Sequence, residues 1–235
     1  MKVAGSERAD KLAFHKAVNE AYADTMDHFR RWSKEEGYES YVVPPATDPE
    51  PGFAIFYTPP VYRPPLLIVG QNPANFAGMQ SLETEPNGTM LSGKPPEYNS
   101  YLEDDHAFAL RIRKVFRGYE SLRDAAVGMN VWHFQAKSKA TSAPEPLLDF
   151  CQATTQRLVN MMKPKAILCF GDPAFKAISE GRKAVRLTGQ VKEVALAESR
   201  LWGVCHLTAK YTQAQAAVDT PKALASIWKY LGNDD

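Results

Sequence analysis

A run of four apolar residues, Leu66 to Val69, stops at Gly70 and gives way to a polar loop, Gln71-Asn72-Pro73-Ala74-Asn75. So short a run, bounded by turn residues, reads as a buried strand. Where such strands alternate with helices the sheet is parallel, and ligands bind outside its carboxyl edge. The loop after Val69 is therefore expected at the mouth of a pocket, with Asn72 and Asn75 standing in it. Gly70 is expected to adopt a backbone conformation other residues resist and to let a ligand approach closely. Pro73 fixes the chain direction after it.

The rest of the chain supplies the alternation. Phe14, Val18, Tyr22, Met26, Phe29 and Trp32 recur at spacings of three and four, which predicts a helix over 7–35. Residues 44–65 hold eight of the seventeen prolines and predict an extended connection, with Phe53 to Tyr57 as a possible edge strand. After the strand at 66–69 come a loop over 71–104, a helix over 105–118, a strand over 129–134 and a helix over 146–162. Then follow a strand at 166–170, a helix capped by Asp172 and starting at Pro173, an ambiguous stretch at 182–200 with room for a hairpin, a strand at 201–207 and a final helix. The fold class is α/β: a three-layer α/β/α sandwich around a central, mainly parallel, four-stranded sheet. One domain is expected, with 1–63 as an N-terminal helix and Pro-rich extension and 64–235 as the core. Gly70, Gln71 and Asn72, then Asn130 with His133, then His206 with Thr208, gather at three strand ends on one edge.

Composition narrows the classes. The 44% hydrophobic and 23% charged content is that of an ordinary globular chain, and no apolar run is long enough to span a bilayer. The polar start, MKVAGSERADK, lacks the apolar core of a secretory signal, so a cytoplasmic location and no membrane partner are expected. Cys151, Cys169 and Cys205 form no CxxC pair and read as buried structural thiols. Asp104, Asp105 and His106 read as an acidic helix start, so no metal site is expected. The net charge is +1, but residues 107–140 carry Arg111, Arg113, Lys114, Arg117, Arg123, Lys137 and Lys139 against Glu120 and Asp124. A solvated helix face accounts for the first four of these cations, whereas Lys137 and Lys139 follow a strand end.

GQNPANFAGMQ, residues 70–80, resembles the first motif of the uracil-DNA glycosylase superfamily, closest to its single-strand-selective monofunctional and mismatch-specific branches. His206 in VCHLTAKYT matches the His that opens the second motif, and Asn130 in GMNVWHFQ fits the Asn placed on a middle strand. AILCFGDPAFKAI resembles the strand–turn–helix unit before the second motif, so the likeness covers roughly 64–231. After its His the family has Pro-Ser, where this chain has Leu207-Thr208; the wedge position falls near Lys210 or Tyr211. The stacking aromatic is expected about a dozen residues after Asn72, where Met90 or Tyr98 stands in.

The resemblance implies a monofunctional DNA glycosylase that flips uracil or a modified pyrimidine and hydrolyses its bond to deoxyribose, leaving an abasic site. It implies Asn72 and His206 as catalytic residues, one holding the water and the other donating to the departing base oxygen. Gly70, Gln71, Phe76, Met90 and Asn130 would bind the base, with Asn130 offering both donor and acceptor. Lys137, Lys139, Thr208, Lys210 and Tyr211 would meet DNA. No cofactor is required, and a monomer is expected. The alternative is a non-catalytic nucleic-acid-binding protein on the same fold. A third reading, an α/β enzyme holding a phosphorylated ligand at the Gly70 loop, lacks a GxGxxG or Walker pattern.

Overall fold

The computed structural model describes residues 2–42, 51–71, 73, 93–105, 107–134, 140–179, 187, 191–196, 198–207 and 213–233. Among these, α1 (Lys2–Trp32) is followed by β1 (Leu66–Gly70), then α2 (Ser100–Glu103), α3 (Ala107–Val115), α4 (Glu120–Asp124) and β2 (Val127–Asn130). The second half runs α5 (Glu145–Met162), β3 (Ala166–Phe170), α6 (Asp172–Ile178), β4 (Lys192–Ala195), β5 (Arg200–Val204) and α7 (Gln213–Tyr230). The described strands form one sheet in the order β2-β1-β3-β5-β4. Every pairing is parallel except that of β4, which runs antiparallel to β5. The expected sheet is mainly parallel, but it has five strands rather than four. The fifth is the hairpin partner in the ambiguous 182–200 stretch, and its alternating half-exposed pattern marks it as an edge.

Register settles which side chains share a face. Ile68 lies beside Gly128 and Leu168, Gly70 beside Asn130, and Phe170 beside Val204. Because side chains alternate along a strand, Ile68, Gly70, Gly128, Asn130, Leu168, Phe170, Trp202 and Val204 point to one side. Tyr101 of α2 lies over Gly128, Phe108 of α3 meets Phe170 edge to face, and the Trp202 indole donates to Ser226 Oγ of α7 at 3.3 Å. The opposite face carries Gly203, where a side chain would collide with Phe175 of α6. On this side α5 packs against α6, and α1 packs against α5.

The proline-rich approach to β1 is a wall of the core. Phe53 bridges Phe134 and Phe56 bridges Met129, both antiparallel, so 53–57 follows β2 as isolated bridges rather than as a full edge strand. From α1, Tyr22 meets Phe53 tilted and Phe29 meets it edge to face, with centroids 5.6 and 5.3 Å away, and the Tyr22 hydroxyl accepts the Phe56 N–H. The long N-terminal helix thus holds the segment that flanks β2.

Several boundaries move. β2 begins and ends earlier than the expected 129–134; beyond Asn130 the chain stays bonded to the end of β1 through Val131 N–H to Gly70 O and Trp132 N–H to Gln71 O, while the His133 carbonyl turns to the Ala54 N–H. β5 ends at Val204, which leaves Cys205 and His206 on the loop that follows. Asp172 does not cap α6: Gly171 occupies the cap position, and the Asp172 carboxylate accepts the Leu187 N–H at 2.9 Å. The helix expected over 105–118 is α3, shorter at both ends; the short α4 follows beyond its expected end, and α2 falls within the expected loop.

Candidate functional site

Three of the five described strands end at one edge with the residues the sequence singled out or their neighbours. β2 ends on Asn130, β1 on Gly70 with Gln71 just beyond, and β3 on Phe170 with Gly171 beyond. His206 lies two residues past β5 at the same edge. At the usual spacing between strands, the β2 and β5 backbones are roughly 14 Å apart, room for one planar ring between their side chains. Asn72, Phe76, Met90, Lys137, Lys139, Thr208, Lys210 and Tyr211 lie outside the described residues.

Asn130 is fully buried, and its backbone N–H donates to Ile55 O at 2.8 Å. Its side-chain Nδ2 donates to Ala54 O at 3.0 Å. A carbonyl only accepts, so the contact fixes the amide with its nitrogen toward Ala54. The oxygen faces the other way, and it accepts no hydrogen bond from any described residue. A side chain at Gly70 would stand 3.5 Å from that oxygen. One Nδ2 hydrogen is thus engaged by Ala54, and the oxygen is the acceptor that faces Gly70. A buried oxygen left without a donor costs about 1–3 kcal/mol, which a bound N–H would recover.

Gly70 also departs from expectation. It is not among the glycines of positive φ, so its small size, not its backbone angle, is what the site uses. The positive φ belongs to Gly171, at 94° with ψ 154°, a region reserved to glycine. Gln71 is half-buried, and its carbonyl accepts the Trp132 N–H at 2.8 Å, which ties the end of β1 to the chain after β2.

A cluster of rings lines the same edge. Phe108 of α3 is half-buried and contacts Tyr57, Tyr101, Phe170 and His206, with centroids 5.7 to 6.3 Å apart. It therefore connects the Asn130 side of the edge to the His206 side. Burial raises the Tyr57 phenol well above its ordinary pKa, with the Asn130 amide acting weakly the other way, so the phenol stays protonated. Arg113 closes the α2–α3 turn by donating to the carbonyls of Tyr101, Leu102 and Asp104, which holds Tyr101 in place.

His206 is half-buried, and burial together with the nearby Arg111 guanidinium lowers its pKa to about 4. At neutral pH it is an uncharged imidazole that can donate one N–H. His133, expected near the mouth, points to the other face of the sheet. Its Nε2 meets Thr155 Oγ1 of α5 at 3.2 Å, and that hydroxyl also contacts the carbonyls of Asn130 and Val131 at 3.2 and 3.1 Å. Burial lowers its pKa to about 3, so His133 is a neutral strut behind Asn130. The three cysteines are buried and none is in a disulfide, as expected for structural thiols.

The sequence reading missed Tyr57, Tyr101, Phe108, Thr155 and Gly171 as parts of this edge. Gly171 carried the signal already used at Gly70, a glycine directly after an apolar strand. A cleft of about 430 Å³ lies elsewhere, at the opposite edge beside Ile167, Lys163 and Ser199. There Gln156 donates to Ala177 O, Ser199 to Pro164 O and Lys163 to Asp10, so these polar groups are already engaged.

No protein-family model matches this chain, and no curated protein matches it.

Proposed function

We propose that this chain is a monofunctional DNA glycosylase that hydrolyses the N-glycosidic bond of uracil or a modified pyrimidine in DNA and leaves an abasic site. The observation that carries the reading is the buried Asn130 oxygen, unpartnered among the described residues and turned to Gly70 at the strand ends. Such an oxygen suits the ring N–H of a pyrimidine imide. Phe108 offers a face for the ring, and neutral His206 offers an N–H to a ring oxygen.

In the reaction the C1′–N1 bond breaks and its electron pair leaves with the base. Water adds to C1′ and gives up its proton to solvent. Neutral His206 is too weak an acid to give up its N–H proton, so it serves by hydrogen bonding to the anionic base, an oxyanion-hole role worth about 10²–10³ in rate. Asn72 would hold the water, as the motif likeness implies. Lys137, Lys139, Thr208, Lys210 and Tyr211 would hold the strand while the base is out. The proposal includes a monomer working in base excision repair in the cytoplasm, without a metal or organic cofactor.

The test uses labelled single- and double-stranded oligonucleotides, each with one uracil, hydroxymethyluracil, modified cytosine or mismatch, followed by alkali. Strand breaks at one of these bases, reduced about 100-fold or more by Asn72→Ala and His206→Ala, are the expected result. Salt-sensitive DNA binding with no base release on any substrate would overturn it in favour of the binding protein.

A further inference from the structure

Helix α3 grips the segment after β5 at two points one turn apart. Phe108 sets its ring against the His206 imidazole, with centroids 6.0 Å apart and planes tilted by 36°. Arg111, three residues on and hence on the same helix flank, donates from Nη1 to the Leu207 carbonyl at 2.6 Å. From the other side, a Cβ on Gly171 would meet His206 Cβ and Cδ2 at 3.5 Å. The imidazole is thus confined between the β3–α6 turn and α3, with a guanidinium bonded to the peptide that follows it. We propose that Arg111 is a positioning residue for His206: it pins the carbonyl after the imidazole and sets a permanent cation beside the mouth of the site.

A guanidinium keeps its charge at every working pH, unlike an imidazole. Burial disfavours the His206 imidazolium, and the guanidinium beside it acts in the same direction. The packed elements also carry Arg113, paired with Asp105, and Lys114 on α3, Lys176 on α6, Asp172 at the start of α6, bonded to Leu187 N–H, and Cys205, whose thiol donates to Leu187 O. On α7, Asp219 is engaged by Gln215 and Lys222. The arrangement separates two tasks: neutral His206 aims a hydrogen bond, while Arg111 supplies the positive charge. Only the benefit to a departing anionic base rests on the glycosylase reading; the coupling of Arg111 to His206 does not.

The experiment is an NMR titration of histidines in the full chain, with the His206 signal assigned by its loss in His206→Gln. The wild-type midpoint is expected near 4, and Arg111→Gln should raise it by about one unit toward the ordinary 6.5, burial accounting for the rest of the shift. Arg111→Lys, which keeps the charge, should stay within about half a unit of wild type. On a uracil-containing oligonucleotide, Arg111→Gln should lower kcat about tenfold or more with KM little changed, and Arg111→Lys should restore much of it. An unmoved midpoint in Arg111→Gln overturns the proposal, as does a Lys variant that shifts as far as the Gln variant. Absence of base release by the wild type would fail the glycosylase reading alone, because the titration still decides the part played by Arg111.

Discussion

At Gly70 a Cβ would stand 3.5 Å from Asn130 Oδ1 and 3.9 Å from Tyr57 Cε2. These are ordinary contact distances, and Gly70 has no positive φ, so the strand can accept alanine without strain. The added methyl would instead cover the buried Asn130 oxygen. Gly70→Ala should therefore leave unfolding free energy within about 1 kcal/mol of wild type. Base release, or affinity for a uracil-containing strand, should fall about tenfold or more, the worth of one buried hydrogen bond. Thermal melts beside the oligonucleotide assay check both halves, and full activity in a stable Gly70→Ala protein would show that nothing approaches Asn130 from this side. The position of this glycine was legible in the sequence, because it ends an apolar run. Its reason was not, since close approach and unusual backbone angle call for the same residue. The orientation of the Asn130 amide was equally hidden: its partner, Ala54, lies 76 residues away and contributes only a backbone carbonyl.

At the scale of elements, periodic features were the readable ones. The stripe from Phe14 to Trp32 predicted α1, and the apolar runs predicted β1 and β3, because a helix or central strand records its buried face in its own spacing. What 53–57 does was not readable, because its pairing depends on β2 and its support on α1. Phe53 links these parts: it bridges Phe134 just after β2, packs its ring against Tyr22 and Phe29, and precedes the carbonyl that orients Asn130. Phe53→Ala should cost about 3–5 kcal/mol, the range for truncating a buried aromatic. It should also loosen the Ala54 carbonyl, so that activity falls even at temperatures where the variant remains folded. Urea unfolding followed by a base-release assay on the folded variant tests this. A cost under about 1 kcal/mol with activity intact would mean that the N-terminal helix does not support the site.

Across the whole molecule, the positive excess expected over 107–140 divides by use. Arg111 and Arg113 hold backbone carbonyls, and Arg123 pairs with Asp124 at 2.7 Å, so these three arginines are at least partly committed to the fold itself. No described helix is long and apolar enough to cross a membrane. The more consequential charges are the two that the folded state suppresses. His133 titrates at about 3 and His206 at about 4, whereas an unfolded chain would protonate both near 6.5. Below pH 6.5 the unfolded state therefore binds more protons than the native one, and stability falls as pH falls. The loss grows down to about pH 4 for His206 and about pH 3 for His133, then levels off. Between pH 7.5 and 5 the two together should remove about 4 kcal/mol, a large share of the 5–15 kcal/mol typical of a folded domain. Urea midpoints measured at half-unit steps across this range should slide steadily downward. His133→Gln should flatten about half of the slope, because a side chain that cannot titrate contributes nothing to it. A stability that stays level from pH 7.5 to 5 would mean that the folded protein already carries protons on these imidazoles, and His206 would then act as a cation rather than as a neutral donor.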